Sequence, residues 1–128
     1  MAEIEKQVIG DRAVTVFKVK GKMLFEQVID EITQFYEKNL TQNTVWDFTD
    51  ADGRHITSDE IQKIASHAKG FGHLRENGKT AFVISSSLAY GLGRMYGSLS
   101  QVFNHPVKHG IFRSYDDAIS WVQSAETN

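Results

Sequence analysis

Thr44-Val45-Trp46-Asp47-Phe48-Thr49-Asp50-Ala51-Asp52-Gly53-Arg54-His55-Ile56-Thr57-Ser58-Asp59-Glu60-Ile61 is the stretch on which the fold turns. Thr44 to Thr49 reads as a buried strand. Because strand side chains alternate, Trp46 and Phe48 face one way and Val45 and Asp47 the other. Asp50 to His55 follows as a polar loop. Thr57-Ser58-Asp59-Glu60 then matches a capping box, in which the Thr57 hydroxyl takes the Glu60 amide and the Glu60 carboxylate reaches back. In open α/β sheets the junction between a strand's carboxyl end and the next helix is where ligands and regulatory chemistry gather. An unpaired buried carboxylate costs several kcal/mol, so Asp47 needs donors, most simply backbone N–H groups of the loop that follows.

Working outward, Gln7 to Gly10 and Ala13 to Lys20 are two β-rich runs joined by Asp11-Arg12, a polar pair expected at a tight hairpin, and Gly21-Lys22 ends the second run. Leu24 to Leu40 carries apolar residues at spacings of three and four, which marks an amphipathic helix. Beyond the central stretch, Ile61, Ile64, Ala65 and Ala68 form a narrow apolar stripe on a helix ending near Gly70 or Gly72. Gly70-Phe71-Gly72 is either a hinge or simply that helix's terminator. Thr80 to Ile84 is nearly continuous in apolar residues, as expected for the middle strand of a parallel sheet.

Ser85-Ser86-Ser87 opens the next loop, and a helix is expected from Leu88 to Val102 or Phe103. It carries Gly91, Gly93 and Gly97, which weaken it unless close backbone approach compensates. Asn104-His105-Pro106 stops it, Val107 to Phe112 is the last strand, and Ser114 caps a final helix docked by Ala118, Ile119, Trp121 and Val122. The order β-β-α-β-α-β-α-β-α predicts an α/β domain spanning residues 1–128. It should hold a mixed, mostly parallel sheet of about five strands, an N-terminal β-hairpin and four helices.

The 128 residues suit one domain with a single core. Fourteen basic and sixteen acidic residues leave a net charge of -2, which argues against nucleic acid as a partner. The absence of cysteine excludes disulfides, thiolate metal sites and a cysteine nucleophile. Met1 to Lys6 lacks the apolar core of a signal peptide, and no apolar run approaches the roughly 20 residues that span a bilayer. These features predict a cytoplasmic protein without a transmembrane segment.

Asp47-Phe48-Thr49 closing a strand, Tyr90-Gly91-Leu92-Gly93-Arg94-Met95-Tyr96 after Phe82-Val83-Ile84, and Ile111 to Val122 at the end carry a resemblance. Together they resemble the STAS superfamily, the sulfate-transporter and anti-sigma-factor-antagonist domains. More narrowly, they resemble small stand-alone bacterial proteins of that fold related to CRAL-TRIO lipid-binding domains. In the anti-sigma-factor-antagonist members a serine at the start of the equivalent helix is phosphorylated by a partner kinase, and the resemblance places Ser58, or else Thr57, there. The family's serine-serine-glycine pattern is replaced here by Thr57-Ser58-Asp59-Glu60. A phosphate would meet repulsion from Asp59 and Glu60 while gaining from the helix amino terminus. A plain helix cap is the blander account of the same residues.

Other constellations point to less. The third glycine of Gly91-Leu92-Gly93-Arg94-Met95-Tyr96-Gly97 falls one place late for a dinucleotide fingerprint, which argues against a nucleotide cofactor. The five histidines form no metal-ligand pair, and Ser85, Ser86 or Ser87 with Asp47 and His55 lacks a nucleophile elbow. No catalytic residue, cofactor or metal is therefore expected. The first expectation is a non-enzymatic regulatory module that meets a protein partner through Asp47, Asp50, Asp52, Arg54, His55 and Asp59. The alternative is a carrier or sensor of a small apolar or lipid-like ligand between the second and third helices, lined by Phe71, Tyr90, Arg94, Met95 and Tyr96. Arg94 has a further reading as the partner of Asp47 or Asp50. A homodimer through exposed apolar surface or the Gly93/Gly97 face is a further expectation.

Overall fold

The computed structural model describes residues 1–10, 13–85, 93–94 and 106–124. Its strands are β1 Glu3–Ile9, β2 Val14–Lys22, β3 Asn43–Asp52, β4 Lys79–Val83 and β5 Lys108–Phe112. Its helices among these residues are α1 Phe25–Lys38, α2 Ser58–Phe71, which runs on into a 3-10 turn Gly72–Arg75, and α3 Tyr115–Gln123. The strands lie side by side in chain order in one five-stranded sheet. β1 is antiparallel to β2, and every later neighbour is parallel, so the fold is α/β with a mixed sheet.

Three helices rather than four are thus found among the described residues. The helix expected from Leu88 to Phe103 falls outside them except at Gly93 and Arg94, which are helical. A Cβ on buried Gly93 would lie 2.5 Å from Ile84 Cδ1 and 3.4 Å from Ile111 Cδ1, the close backbone approach that its glycine suggested. The Asp11-Arg12 turn and Gly97 also lie outside the described residues.

Two expectations are corrected. Thr80 to Ile84 is not the middle of the sheet: β3 is, and β4 stands one place out, between β3 and β5. Continuous apolarity reports cover on both faces, which any interior strand has. Nor does β2 stop at Lys20, for it takes in Gly21 and Lys22 before it ends. The strand shifts register between Lys18 and Lys20, and its Lys20, Gly21 and Lys22 pair with Asp50, Ala51 and Asp52. Gly21 takes a φ of +92°, which its missing Cβ permits. With that partner available β3 runs on to Asp52, and the loop before α2 shrinks to Gly53–Thr57.

Alternation along these strands gives the two faces different cores. Val14, Val16, Val45, Ala81 and Val83 meet Ala118 and Val122 of α3. Phe17, Val19 and Trp46 meet Val28, Ile32 and Phe35 of α1 and Ile64, Ala65 and Ala68 of α2. Lys79 reaches the carboxyl end of α3, where its ammonium donates to the Trp121 carbonyl at 3.0 Å and the Ser124 carbonyl at 3.1 Å. A cation is favoured at that end by the helix dipole.

Candidate functional site

The carboxyl rim of the sheet holds the residues the sequence singled out. Asp47 is buried, and its Oδ1 accepts from the Thr49 amide at 3.0 Å and the Thr49 hydroxyl at 2.6 Å. Both of these donors therefore belong to one residue, Thr49, on its own strand rather than to the loop. It lies on the α3 face, where burial, the Asp47 carboxylate and Asp116 all push the Tyr115 phenol up.

The remaining loop residues are gathered on the other side of the rim. Arg54 closes a fork on Asp52, Nε to Oδ1 at 3.0 Å and Nη2 to Oδ2 at 3.1 Å, and the Arg54 amide adds a third bond. Those bonds pull the Asp52 carboxyl down to about 2. The His55 ring hydrogen-bonds to the Met23 carbonyl, tying this loop to the one between β2 and α1. Thr57 caps α2 as expected: its hydroxyl accepts the Glu60 amide at 3.1 Å and Glu60 Oε1 accepts the Thr57 amide at 3.0 Å. Ser58 and Asp59 are exposed on the first turn of α2, and Asp50 is exposed at the end of β3.

Below this rim a cavity of about 140 Å³ lies between the sheet and helices α1 and α2. Its floor is a row of stacked rings, Trp46 on Phe48 at 5.9 Å and Phe48 on Phe82 at 6.2 Å, with Phe17 stacked on Trp46 at 4.1 Å outside the lining. His109 continues the row beside Phe82 at 5.9 Å. Val28 and Ile32 wall it from α1, Ile61, Ile64 and Ala68 from α2, and Met23, Gly53 and Ile56 stand at the rim.

The opposite end of the cavity is polar. Arg75, only 3% exposed, donates to the Tyr36 hydroxyl at 3.1 Å, the Gln42 carbonyl at 3.0 Å, the Lys79 carbonyl at 2.8 Å and the Thr80 hydroxyl at 3.0 Å. Thr44 donates to Thr80 at 3.0 Å beside it. Thr44, Thr80, Tyr36 and Arg75 all line the space.

Of the pocket residues the sequence suggested, only Phe71 and Arg94 are among those described. Phe71 stacks on Tyr36 at 5.0 Å and does not line the cavity, Arg94 is exposed, and Tyr90, Met95 and Tyr96 lie outside the described residues. Sequence reasoning missed Arg75 altogether. The only trace was a cation next to turn residues, where a solvated surface charge is the ordinary case. Among the described residues no group of acidic or histidine side chains is arranged to hold a metal ion, and no helix is long and apolar enough to cross a membrane.

No family model matches the chain, and no curated protein does. Among solved structures, an uncharacterized DUF3478-family protein with a SpoIIAA-like fold from Shewanella loihica PV-4 superposes at a TM-score of 0.57. It shares 19% identity over 94% of this chain and 93% of that one. The fold is SpoIIAA-like. An anti-sigma factor antagonist from Mycobacterium paratuberculosis aligns at a TM-score of 0.51 with 15% identity, over 95% of this chain and 96% of its own. The SpoIIAA-like assignment agrees with the mixed sheet in chain order and with the resemblance to STAS proteins; at these identities it is a statement about fold.

Proposed function

We propose that this chain is a single-domain, non-enzymatic, cytoplasmic regulatory module that binds a protein partner through the Gly53–Thr57 loop and the start of α2. One observation carries the reading: Ser58 stands exposed on the first turn of a firmly capped helix at the carboxyl rim of the sheet. The Arg54–Asp52 fork and the His55–Met23 bond hold that surface in one shape, which lowers the entropic cost of recognition. Thr57 is committed to the cap, so a phosphoryl switch falls on Ser58, where the helix amino terminus favours the anion and Asp59 and Glu60 oppose it. The structural neighbour named as an anti-sigma factor antagonist is a regulator, and its fold is compatible with this role.

The test is a photo-crosslinking residue at Asp59, compared with one at Glu5 on β1, expressed in the native host. A protein captured from position 59 alone is expected; equal capture from both positions, or none from either, overturns the proposal. Intact mass of the isolated chain, with Ser58→Ala as control, reads the phosphoryl switch separately.

A second reading, a carrier or sensor of a small apolar ligand, is favoured by the ring-floored cavity and is what the resemblance to CRAL-TRIO domains implies. Native mass spectrometry of freshly purified protein tests it, with a retained small molecule as the expected result.

A further inference from the structure

We infer that the cavity under α1 and α2 takes an uncharged, planar aromatic molecule of about two fused rings, lying flat across the upright edges of Trp46, Phe48 and Phe82; this rests on the ligand-binding reading above. Size comes first. At about 10–15 Å³ of such space for each water-sized group, a volume of about 140 Å³ admits roughly ten carbon-sized groups. A fused pair of six-membered rings fills that room, whereas a long-chain lipid overfills it.

The floor sets the shape. Phe17 on β2 and Trp46 on β3 are direct cross-strand partners, and their rings face each other at 4.1 Å with planes 14° apart. Rings that face one another across the gap between strands stand upright on the sheet, with their edges toward the helices. Phe48 and Phe82 share that attitude, since the planes turn by only 21° from Trp46 to Phe48 and 14° from Phe48 to Phe82. The cavity is therefore floored by C–H edges, the positive part of each ring quadrupole, and the negative part of an aromatic ligand is its face. A flat ring system laid over those edges makes an edge-to-face contact with each, where a saturated skeleton of the same size gains dispersion alone. Val28, Ile32, Ile61 and Ile64 cover its other side with aliphatic surface.

The lining sets the charge. Among the described residues it contains no carboxylate and no lysine. The Arg75 guanidinium is already engaged by oxygens of Tyr36, Gln42, Lys79 and Thr80. The His109 ring stacks on Phe82, and its Nδ1 lies 3.0 Å from the Val107 carbonyl. An anionic ligand would have to displace one of the Arg75 partners and strand it in the interior, and an ammonium would face the guanidinium as a like charge. A neutral hydroxyl suits the inner end, where Tyr36, Thr44 and Thr80 put hydroxyls of their own on the wall.

The probes are 2-naphthol, its saturated counterpart decahydro-2-naphthol, and 2-naphthoate, each below its solubility limit at pH 7. They are titrated into the wild-type chain and into Ala68→Phe, which blocks the space, and binding is followed by backbone amide chemical shifts. 2-Naphthol is expected to bind about threefold tighter than the saturated alcohol or better, and about tenfold tighter than the naphthoate. Its shifts should gather at Phe48 and Ala68 rather than at Val14 and Val122 on the opposite face, and Ala68→Phe should weaken it at least tenfold. Should that variant fail to fold, the wild-type shift map decides the site. Equal or tighter binding of the saturated alcohol, weakened by Ala68→Phe, overturns the aromatic ligand while leaving the apolar-ligand reading in place, and naphthoate binding as tight as naphthol overturns the uncharged one. Binding of none of the three, binding that Ala68→Phe leaves unchanged, or shifts as large at Val14 and Val122 as at Ala68 removes both.

Discussion

The two faces of this sheet are built from alternate residues of the same strands, and they pack in opposite ways. Toward α3 the strands present Val14, Val16, Val45, Ala81 and Val83, compact side chains that interlock with Ala118 and Val122 until Val14, Val45, Ala81 and Ala118 have no exposed surface. Toward α1 and α2 they present Phe17, Trp46, Phe48 and Phe82, whose rings lie within 14–21° of parallel to their neighbours. Flat rings stacked along a sheet spend their faces on one another and leave the helices above them short of contacts. The result is a filled layer on one side and a space of about 140 Å³ on the other. At about 24 cal/mol per Å³, an empty cavity of that size costs about 3 kcal/mol. One face is organised for stability; the other gives up stability for room.

The comparison is broken most severely at Arg75, the polar post that holds up the hollow side. Arg75→Met should lower unfolding free energy by about 3–5 kcal/mol in denaturant titration, because it strands the Gln42 and Lys79 carbonyls and the Tyr36 and Thr80 hydroxyls in the interior. A loss under about 1 kcal/mol would mean that the cavity's inner end is not held by this network. A matched pair sharpens the contrast further. Ala118→Leu, driven into the filled layer, should cost about 1–3 kcal/mol. Ala68→Leu, entering the cavity from α2, should be neutral or gain about 1 kcal/mol. The same substitution thus carries opposite signs on the two faces, and equal losses would show that the hollow side has no spare volume.

Much of this layout was legible in the chain. Alternation at Val45-Trp46-Asp47-Phe48 assigned each side chain to its face, and Thr57 to Glu60 announced the capping box. Strand limits were less legible: Asp50-Ala51-Asp52 reads as a polar loop, and only the continuation of β2 past Gly21 supplies the partner that makes it strand. The cavity was not legible at all. A void depends on how rings lie against one another, and Phe17, Trp46 and Phe82 meet across three strands. Arg75 escaped for the same reason, since its partners come from Tyr36, Gln42 and Thr80, distant in sequence or reached around a turn. Asp47 was correctly expected to need donors, but Thr49 on its own strand supplies them.

Smaller effects belong to the rim, where Gly53 and Ile56 close the hollow side. Thr57→Ala removes the acceptor for the Glu60 amide and should cost about 1 kcal/mol, read as a lowered denaturation midpoint. Acid should act more locally. The Arg54 fork holds the Asp52 carboxyl at about 2, below its ordinary 3.8, so the charged form is favoured in the folded chain. Its contribution is whole above pH 3.8 and is lost as pH falls through about 2. The pair is exposed, so the effect is a modest one that salt weakens further. Amide exchange at Arg54 and Ile56 should therefore quicken between about pH 4 and pH 2, after correction for intrinsic rates, while Val45 and Val83 on the filled side keep their protection. Arg54→Gln should raise the Asp52 midpoint toward 3.8 and begin that loosening earlier on acidification. If the two faces lose protection together in wild type, the rim loop is not an independent closure of the cavity, and the difference between the faces does not extend to their dynamics.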